Sequence, residues 1–87
     1  MEYNANWNDY LKALYHEAQG DWDKAHDIVD RIPDGPGNHI HAYLHRKEGD
    51  GWNARYWYNR AKHPVPSISL DEEWQYLWDL YESYGRK

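Results

Sequence analysis

Hydrophobic side chains recur at helical spacing in five stretches of the chain, and two stretches rich in proline and glycine interrupt them. The interruptions are IPDGPGN at 32–38 and HPVPS at 63–67. Apolar residues lie three or four positions apart in 7–19, in 22–32, after Asn38, after Asp50 and from Leu70 to Tyr84. This spacing places them on one face of an α-helix, and no strand-like alternation competes with it. The pattern therefore predicts an all-α fold of five helices.

Local signals mark where the predicted helices begin and end. Gly20-Asp21 and Gly49-Asp50 each place a helix-ending glycine before an aspartate that can cap the next helix. Asn38 is the predicted cap of the third helix. Ser69 and Glu72 have the spacing of a capping box, which predicts the start of the fifth helix.

The two Gly-Asp pairs also reveal an internal repeat with an offset of 29 residues. Alignment at this offset superposes identical residues in both helices of a pair: Ala13 with Ala42, His16 with His45, Ala25 with Ala54, and Arg31 with Arg60. The small alanine side chains are predicted to let paired helices approach closely, and each Gly-Asp turn to join them.

The order of helix, Gly-Asp turn, helix and proline resembles a tetratricopeptide-like repeat. The matching positions are Ala54, Tyr58, Ala61 and Pro66 in the second unit, and Gly20, Asp21, Ala25 and Pro36 in the first. The period is shorter than the usual 34 residues, and the leading Trp-x-x-Leu-Gly-x-x-Tyr half appears only as KAxxH and HAxxH. The resemblance implies a single domain of two antiparallel helical hairpins, repeat unit one at 7–36 and repeat unit two at 38–66, with a capping helix at 69–84.

A second resemblance rests on two longer segments. NARYWYNRA at 53–61, together with HAYLHRKEGD at 41–50, is similar to a family of small uncharacterised bacterial proteins. This likeness implies no activity. Within NARYWYNRA the repeat assigns Ala54, Tyr58 and Ala61 to packing positions, so Tyr56 is the aromatic residue predicted to reach the surface.

Composition narrows the classes of function. The 87 residues include six Trp and nine Tyr but no Cys, which excludes disulfides and thiolate metal sites. The net charge of −5, with acids and bases interleaved, argues against a nucleic-acid binder, which needs a basic stripe. No apolar run has the length of a membrane span and the N-terminal residues lack a signal-peptide pattern, so a cytoplasmic location is expected.

Histidines supply the candidate metal ligands. His41 and His45 are four residues apart, hence on one face of a helix, and His16 is the repeat equivalent of His45. These three side chains are the predicted zinc ligands, and no other cofactor is predicted. The alternative interpretation treats His16 and His45 as packing residues, each replacing the aromatic that pairs the helices of a tetratricopeptide-like hairpin.

A second candidate site is a concave groove. In stacked helical hairpins the first helices of each pair line the concave side. That surface would carry Tyr10, Leu14, Glu17, His39, Tyr43 and Arg46. Its aromatic and charged groups suit an extended peptide or a small polar ligand, with Arg46 binding a carboxylate. The alternative is an ordinary solvated face.

These features lead to two hypotheses about function. The first is a small non-enzymatic interaction module that presents the groove to a protein or peptide partner. The second is a small-ligand or metal-binding protein that uses the histidine cluster of the third helix. Catalysis has little support, because the chain has three Ser, no Thr and no Cys, and no nucleophile beside a base. The surplus of aromatic residues at 70–84 predicts a homodimer through that segment. The alternative is that this broad apolar surface of the helix is buried within the small domain itself.

Overall fold

A computed structural model of the chain describes residues 1–84 and contains five α-helices, with no strand in this part of the chain. The all-α prediction is therefore confirmed. The helices are α1 Asp9–Ala18, α2 Trp22–Asp30, α3 Gly35–Lys47, α4 Gly51–Ala61 and α5 Leu70–Tyr81.

The two Gly-Asp turns adopt the same conformation. Gly20 and Gly49 have φ angles of +86° and +91°, the left-handed region that favours glycine. The N–H groups of Asp21 and Asp50 each donate to a histidine carbonyl five residues earlier, at 2.9 Å, as in a Schellman motif. Each aspartate side chain then accepts a hydrogen bond from the first turn of the following helix. The predicted helix boundaries at these turns are confirmed.

The capping box that begins α5 is also confirmed, because Ser69 and Glu72 exchange two hydrogen bonds of 3.1 Å. The prediction that Asn38 caps the third helix is wrong. α3 begins three residues earlier, where the Asp34 side chain accepts a hydrogen bond of 2.8 Å from the Gly37 N–H. Pro36 is tolerated there because the first turn of a helix needs no N–H donor. The segment that looked like a break thus forms the first turn of α3.

α3 is the central helix of the fold. Every residue from Pro36 to His45 is buried, and α3 packs against each of the other four helices. α1 also packs against α2, and all four alanines aligned by the repeat are buried where paired helices meet: Ala13, Ala25, Ala42 and Ala54. The helix that lies between all others therefore carries three of the six histidines.

α5 packs across α1 and α3, whereas its contact with α4 is a buried hydrogen bond from the Tyr58 hydroxyl to Glu73. The Trp74 indole donates to the Leu14 carbonyl at 2.9 Å, and the Asn8 amide donates to the Tyr81 carbonyl at 2.9 Å. α4 packs against α3 alone among the helices. As the sequence predicted for NARYWYNRA, Tyr58 is buried and Tyr56 is exposed.

Candidate functional site

The six residues of the predicted groove lie together on the α1–α3 side of the fold, but α5 lies over them. Leu14, Glu17, His39 and Tyr43 are buried, and Tyr10 and Arg46 are partly buried. Most of their contacts are with α5 and the residues next to it. Tyr10 packs on Tyr81 and Tyr84, and His39 hydrogen-bonds to the Tyr81 hydroxyl. Arg46 donates hydrogen bonds to Glu73 and to the Ile68 carbonyl. In the described structure this surface is an internal interface and not an open concave face.

Two buried carboxylates organise that interface. Glu73 accepts hydrogen bonds from Arg46 Nη1 at 2.8 Å and from the Tyr58 hydroxyl at 2.6 Å. Glu17 accepts one from the Tyr43 hydroxyl at 3.1 Å and pairs with the Lys47 ammonium. Burial, followed by the adjacent carboxylate, raises the pKa of both tyrosines above the ordinary value, so their hydroxyls remain protonated donors. The polar groups of this interface are thus mutually satisfied.

His39 lies at the inner end of an apolar pocket of about 260 Å³ between the 63–68 segment and α5. Its Nδ1 lies 2.7 Å from the Tyr81 hydroxyl, and its ring stacks on His63 at 3.8 Å. Burial, and then the neighbouring His63, lowers the pKa of His39 to about 3. His39 is therefore neutral near pH 7 and acts as a packed hydrogen-bonding group. Pro64, Pro66 and Tyr76 supply the apolar wall of the pocket.

The histidines that converge are His26, His41 and His45. A ligand nitrogen from each ring lies within 4.8 Å of the other two. α3 supplies His41 and His45 at a spacing of four, with ring centroids 5.0 Å apart. α2 supplies His26, whose ring meets His41 edge-on at 4.5 Å. His41 and His45 are 2% and 7% exposed, and His26 is partly buried, so the cluster lies at the α2–α3 contact with one side near solvent.

Aromatic rings and one carboxylate hold the cluster in place. Trp57 of α4 stacks on His41 with centroids 3.8 Å apart, and Trp22 of α2 stacks on His26 at 4.9 Å. Glu48 Oε2 lies 2.5 Å from Nδ1 of His45. In the tautomer whose Nδ1–H donates a hydrogen bond to this carboxylate, Nε2 of His45 keeps its electron pair available for a ligand.

Electrostatics keep His41 neutral. Burial, and then the nearby His26 and His45, lowers the pKa of His41 to about 4, with Asp30 opposing the shift. Of the six histidines, His39 and His45 make ring hydrogen bonds within residues 1–84. The neutral His41 ring therefore keeps an electron pair that can bind a metal ion, and the His26 ring is not engaged by a hydrogen bond in that part of the chain.

Of the three predicted zinc ligands, the structure brings His41 and His45 together and places His16 elsewhere. His16 lies at the end of α1, where its ring packs against Tyr3 at 5.7 Å and Tyr15 at 5.4 Å. Its pKa is lowered, first by burial and then by Lys24. The repeat aligns His16 with His45, which suggested that the two rings would lie close together, but equivalent residues of a repeat need not face one another.

His26 was missed by the sequence analysis. The 29-residue offset aligns His26 with Arg55, so the repeat did not indicate a metal ligand at position 26. One signal was available. His26 lies four residues after Trp22 and one after the buried Ala25, hence beside the face with which α2 contacts α3.

The outer face of α4 exposes two aromatic side chains. Trp52 is 72% exposed and Tyr56 is 46% exposed. Arg60 lies 5.7 Å from the centroid of the Tyr56 ring and 5.5 Å from that of Trp57, within cation–π range.

No helix in residues 1–84 is both long and apolar enough to cross a membrane.

Neither a protein-family model nor a curated protein or solved structure matches the chain.

Proposed function

We propose that the protein binds a divalent transition-metal ion, with zinc as the representative, through His26, His41 and His45. One observation carries the proposal: a ligand atom from each of the three rings lies within 4.8 Å of the other two. Imidazole nitrogen is a preferred ligand of zinc, and three protein ligands leave a fourth position for water or another group. This proposal keeps the two ligands predicted on α3 and replaces His16 by His26.

The rings need little movement to bind zinc. Zinc–nitrogen bonds of 2.0–2.1 Å in a tetrahedral arrangement place the nitrogens about 3.4 Å apart. The histidine nitrogens must therefore approach one another by at most roughly 1.4 Å from the 4.8 Å that bounds them. His26 is partly buried, whereas Trp57 and Glu48 hold the more buried His41 and His45 in place.

A metal ion at this position would join α2 to α3. Because binding to the folded state alone stabilises it, free zinc at a hundred times Kd should add about 2.7 kcal/mol. For a domain of this size, that gain raises the midpoint of thermal unfolding by roughly 10–20 °C.

Zinc titration of matched variants tests the assignment. His26→Ala removes the proposed α2 ligand, and His16→Ala removes the histidine that only the repeat had suggested; both side chains are partly buried. Calorimetry should detect one zinc ion per wild-type chain. The Kd should rise at least about tenfold for His26→Ala and stay unchanged for His16→Ala. Equal Kd values for wild type and His26→Ala would contradict the proposal, provided that circular dichroism shows both variants folded.

We propose, as a second function, an interaction module of the tetratricopeptide-like type. The supporting observation is the outer face of α4, where Trp52 and Tyr56 are exposed beside Arg55 and Arg60 and no helix of the described chain covers them. Exposed aromatic and arginine side chains are enriched where proteins bind one another. The α1–α3 side presents less exposed surface to a partner, because α5 lies across it.

A peptide-display selection at submicromolar protein concentration tests this second function. Wild-type protein should enrich a shared motif, and Trp52→Ala should lose that enrichment while Tyr3→Ala, an exposed aromatic residue outside α4, should retain it. Equal enrichment by the Trp52→Ala variant would remove α4 as the binding surface.

A further inference from the structure

Charge is segregated between the last two helices. From Gly51 to Ile68 the chain has no acidic residue but carries Arg55, Arg60 and Lys62. From Ser69 to Tyr84 it has no basic residue but carries five acidic ones: Asp71, Glu72, Glu73, Asp79 and Glu82. Glu73 is buried, and the other four are exposed. An acidic protein with a net charge of −5 therefore presents one locally basic helix and one strongly acidic helix.

Each of these helices also exposes a row of large apolar side chains. On α4 the row is Trp52 and Tyr56, followed at the same spacing of four by Arg60. On α5 and the turn after it, the row is Tyr76, Leu80 and Tyr84, which are 48%, 40% and 51% exposed. Residues four apart lie one above the other on a helix, so both rows are continuous ridges.

The two faces complement each other in charge, chemistry and length. The α4 ridge has arginines beside its aromatic rings, and the α5 ridge has Glu72 and Asp79 beside its own. α4 has 11 residues and α5 has 12, so both are about 16–18 Å long. Within one chain, α4 and α5 are linked by the buried Tyr58–Glu73 hydrogen bond, and the side chains of both ridges remain exposed and available to another molecule.

We infer that the occupant of the α4 face is the α5 face of a second copy of this chain. This inference rests on the interaction function proposed above and names its partner, but it is independent of the metal site. The contact is heterologous: α4 of one copy binds α5 of the next, with Arg55 and Arg60 opposite the acidic residues of α5. Because every copy carries both faces, association continues into short chains or closes into a ring.

The same charges disfavour the symmetric dimer that the sequence suggested through residues 70–84. In a two-fold contact the α5 face would meet itself and bring Glu72 and Asp79 close to the same residues of the second copy. Like charges juxtaposed across an interface are repulsive, whereas the α4–α5 pairing places opposite charges together.

Sedimentation equilibrium of three double variants tests the inference, with a chelator present to exclude metal-mediated association. The α4 variant is Arg55→Glu/Arg60→Glu, and the α5 variant is Tyr76→Glu/Leu80→Glu, so that the two altered faces repel each other when the variants are mixed. The matched control is Asp23→Lys/Asp27→Lys on α2, which also carries two reversed charges. All six positions are exposed, so folding should persist, and circular dichroism checks it. Trp52→Ser is a second α4 variant that leaves the charges unchanged.

Wild type and the α2 control should associate at high micromolar concentration, and 0.5 M salt should weaken that association. The α4 and α5 variants, and Trp52→Ser, should each associate at least about tenfold more weakly. An equimolar mixture of the α4 and α5 variants should form one-to-one dimers and nothing larger, because only one intact pair of faces remains.

Three results would overturn the inference: a wild type that stays monomeric, an α4 variant that associates like wild type, or a mixture that stays monomeric. Association lost only in the α5 variant would indicate the symmetric dimer. If the wild type stays monomeric, the zinc titration and the peptide selection still test the two proposed functions independently.

Discussion

Replacement of Glu73 by alanine should destabilise the protein more than any surface change on α5. The side chain is 1% exposed, and its carboxylate binds Arg46 of α3 and the buried Tyr58 of α4. Removing one partner of a buried ion pair leaves the other charge uncompensated and costs about 3–5 kcal/mol. The Arg46 side chain is 23% exposed and can recover part of its hydration, so we expect the lower half of that range.

Urea denaturation followed by tryptophan fluorescence measures this change. We expect Glu73→Ala to lose about 3–4 kcal/mol of unfolding free energy, which lowers the thermal midpoint by roughly 15–25 °C. Glu73→Gln keeps an acceptor for Tyr58 and should lose about 1–2 kcal/mol. The control Glu82→Ala, on an exposed position at the end of the same helix, should stay within about 0.5 kcal/mol of wild type. A loss below about 1 kcal/mol for Glu73→Ala would refute the role of this carboxylate in holding α5 on α3.

Three further predictions concern backbone conformation and pH. Lys62 has φ +61°, so Lys62→Gly should raise the unfolding free energy by about 0.5–1 kcal/mol, and a loss of stability in urea would contradict this. Gly49 has φ +91°, so Gly49→Ala should cost about 1–2 kcal/mol by the same measurement, and a neutral result would contradict the turn assignment. His39 and His41 have folded-state pKa values of about 3 and about 4, below the ordinary 6.5. As pH falls, these two histidines become protonated at a higher pH in the unfolded chain than in the folded one. Metal-free protein should therefore lose stability as pH falls below 6.5. For His41 this loss reaches about 3 kcal/mol near pH 4, at 1.36 kcal/mol per pH unit. A flat urea midpoint between pH 7 and pH 4.5 would contradict it.

The sequence predicted the elements of the fold where the signals are local. Gly20-Asp21, Gly49-Asp50 and the Ser69–Glu72 box act through hydrogen bonds within a few residues, and each ends or begins a helix as predicted. Asp34 was overlooked because the Pro and Gly residues after it look like a break. In the structure they occupy a first turn that needs no N–H donor.

Placement of the helices could not be predicted from the same signals. A repeat aligns residues that are equivalent but does not specify which of them meet, so His16 was grouped with His41 and His45 while His26 was not. The position of α5 depends on contacts distant in sequence, such as Trp74 with Leu14 and Glu73 with Arg46. The predicted groove residues lie on the α1–α3 side of the fold, and nothing local in the sequence indicated that α5 would cover them.

The proposed metal site and the α4 face are separate features of one small domain. They meet at Trp57, which stacks on His41 inside the fold while Arg60 packs near the same ring from outside. Because the indole is shared, its fluorescence should respond to metal binding at His41 and to occupancy of the α4 face. Variants of Arg60 separate the two effects, since Arg60 lies outside the histidine cluster.

The histidine ring resonances during zinc titration test the central claim most directly. In two-dimensional NMR of the uniformly ¹⁵N-labelled protein, zinc should shift the ring nitrogens of His26, His41 and His45 together and saturate at one equivalent. The rings of His16, His39 and His63 should keep their positions and serve as internal controls. Unchanged resonances for the first three, or shifts confined to His16 or His63, would contradict a three-histidine metal site at the contact of α2 and α3.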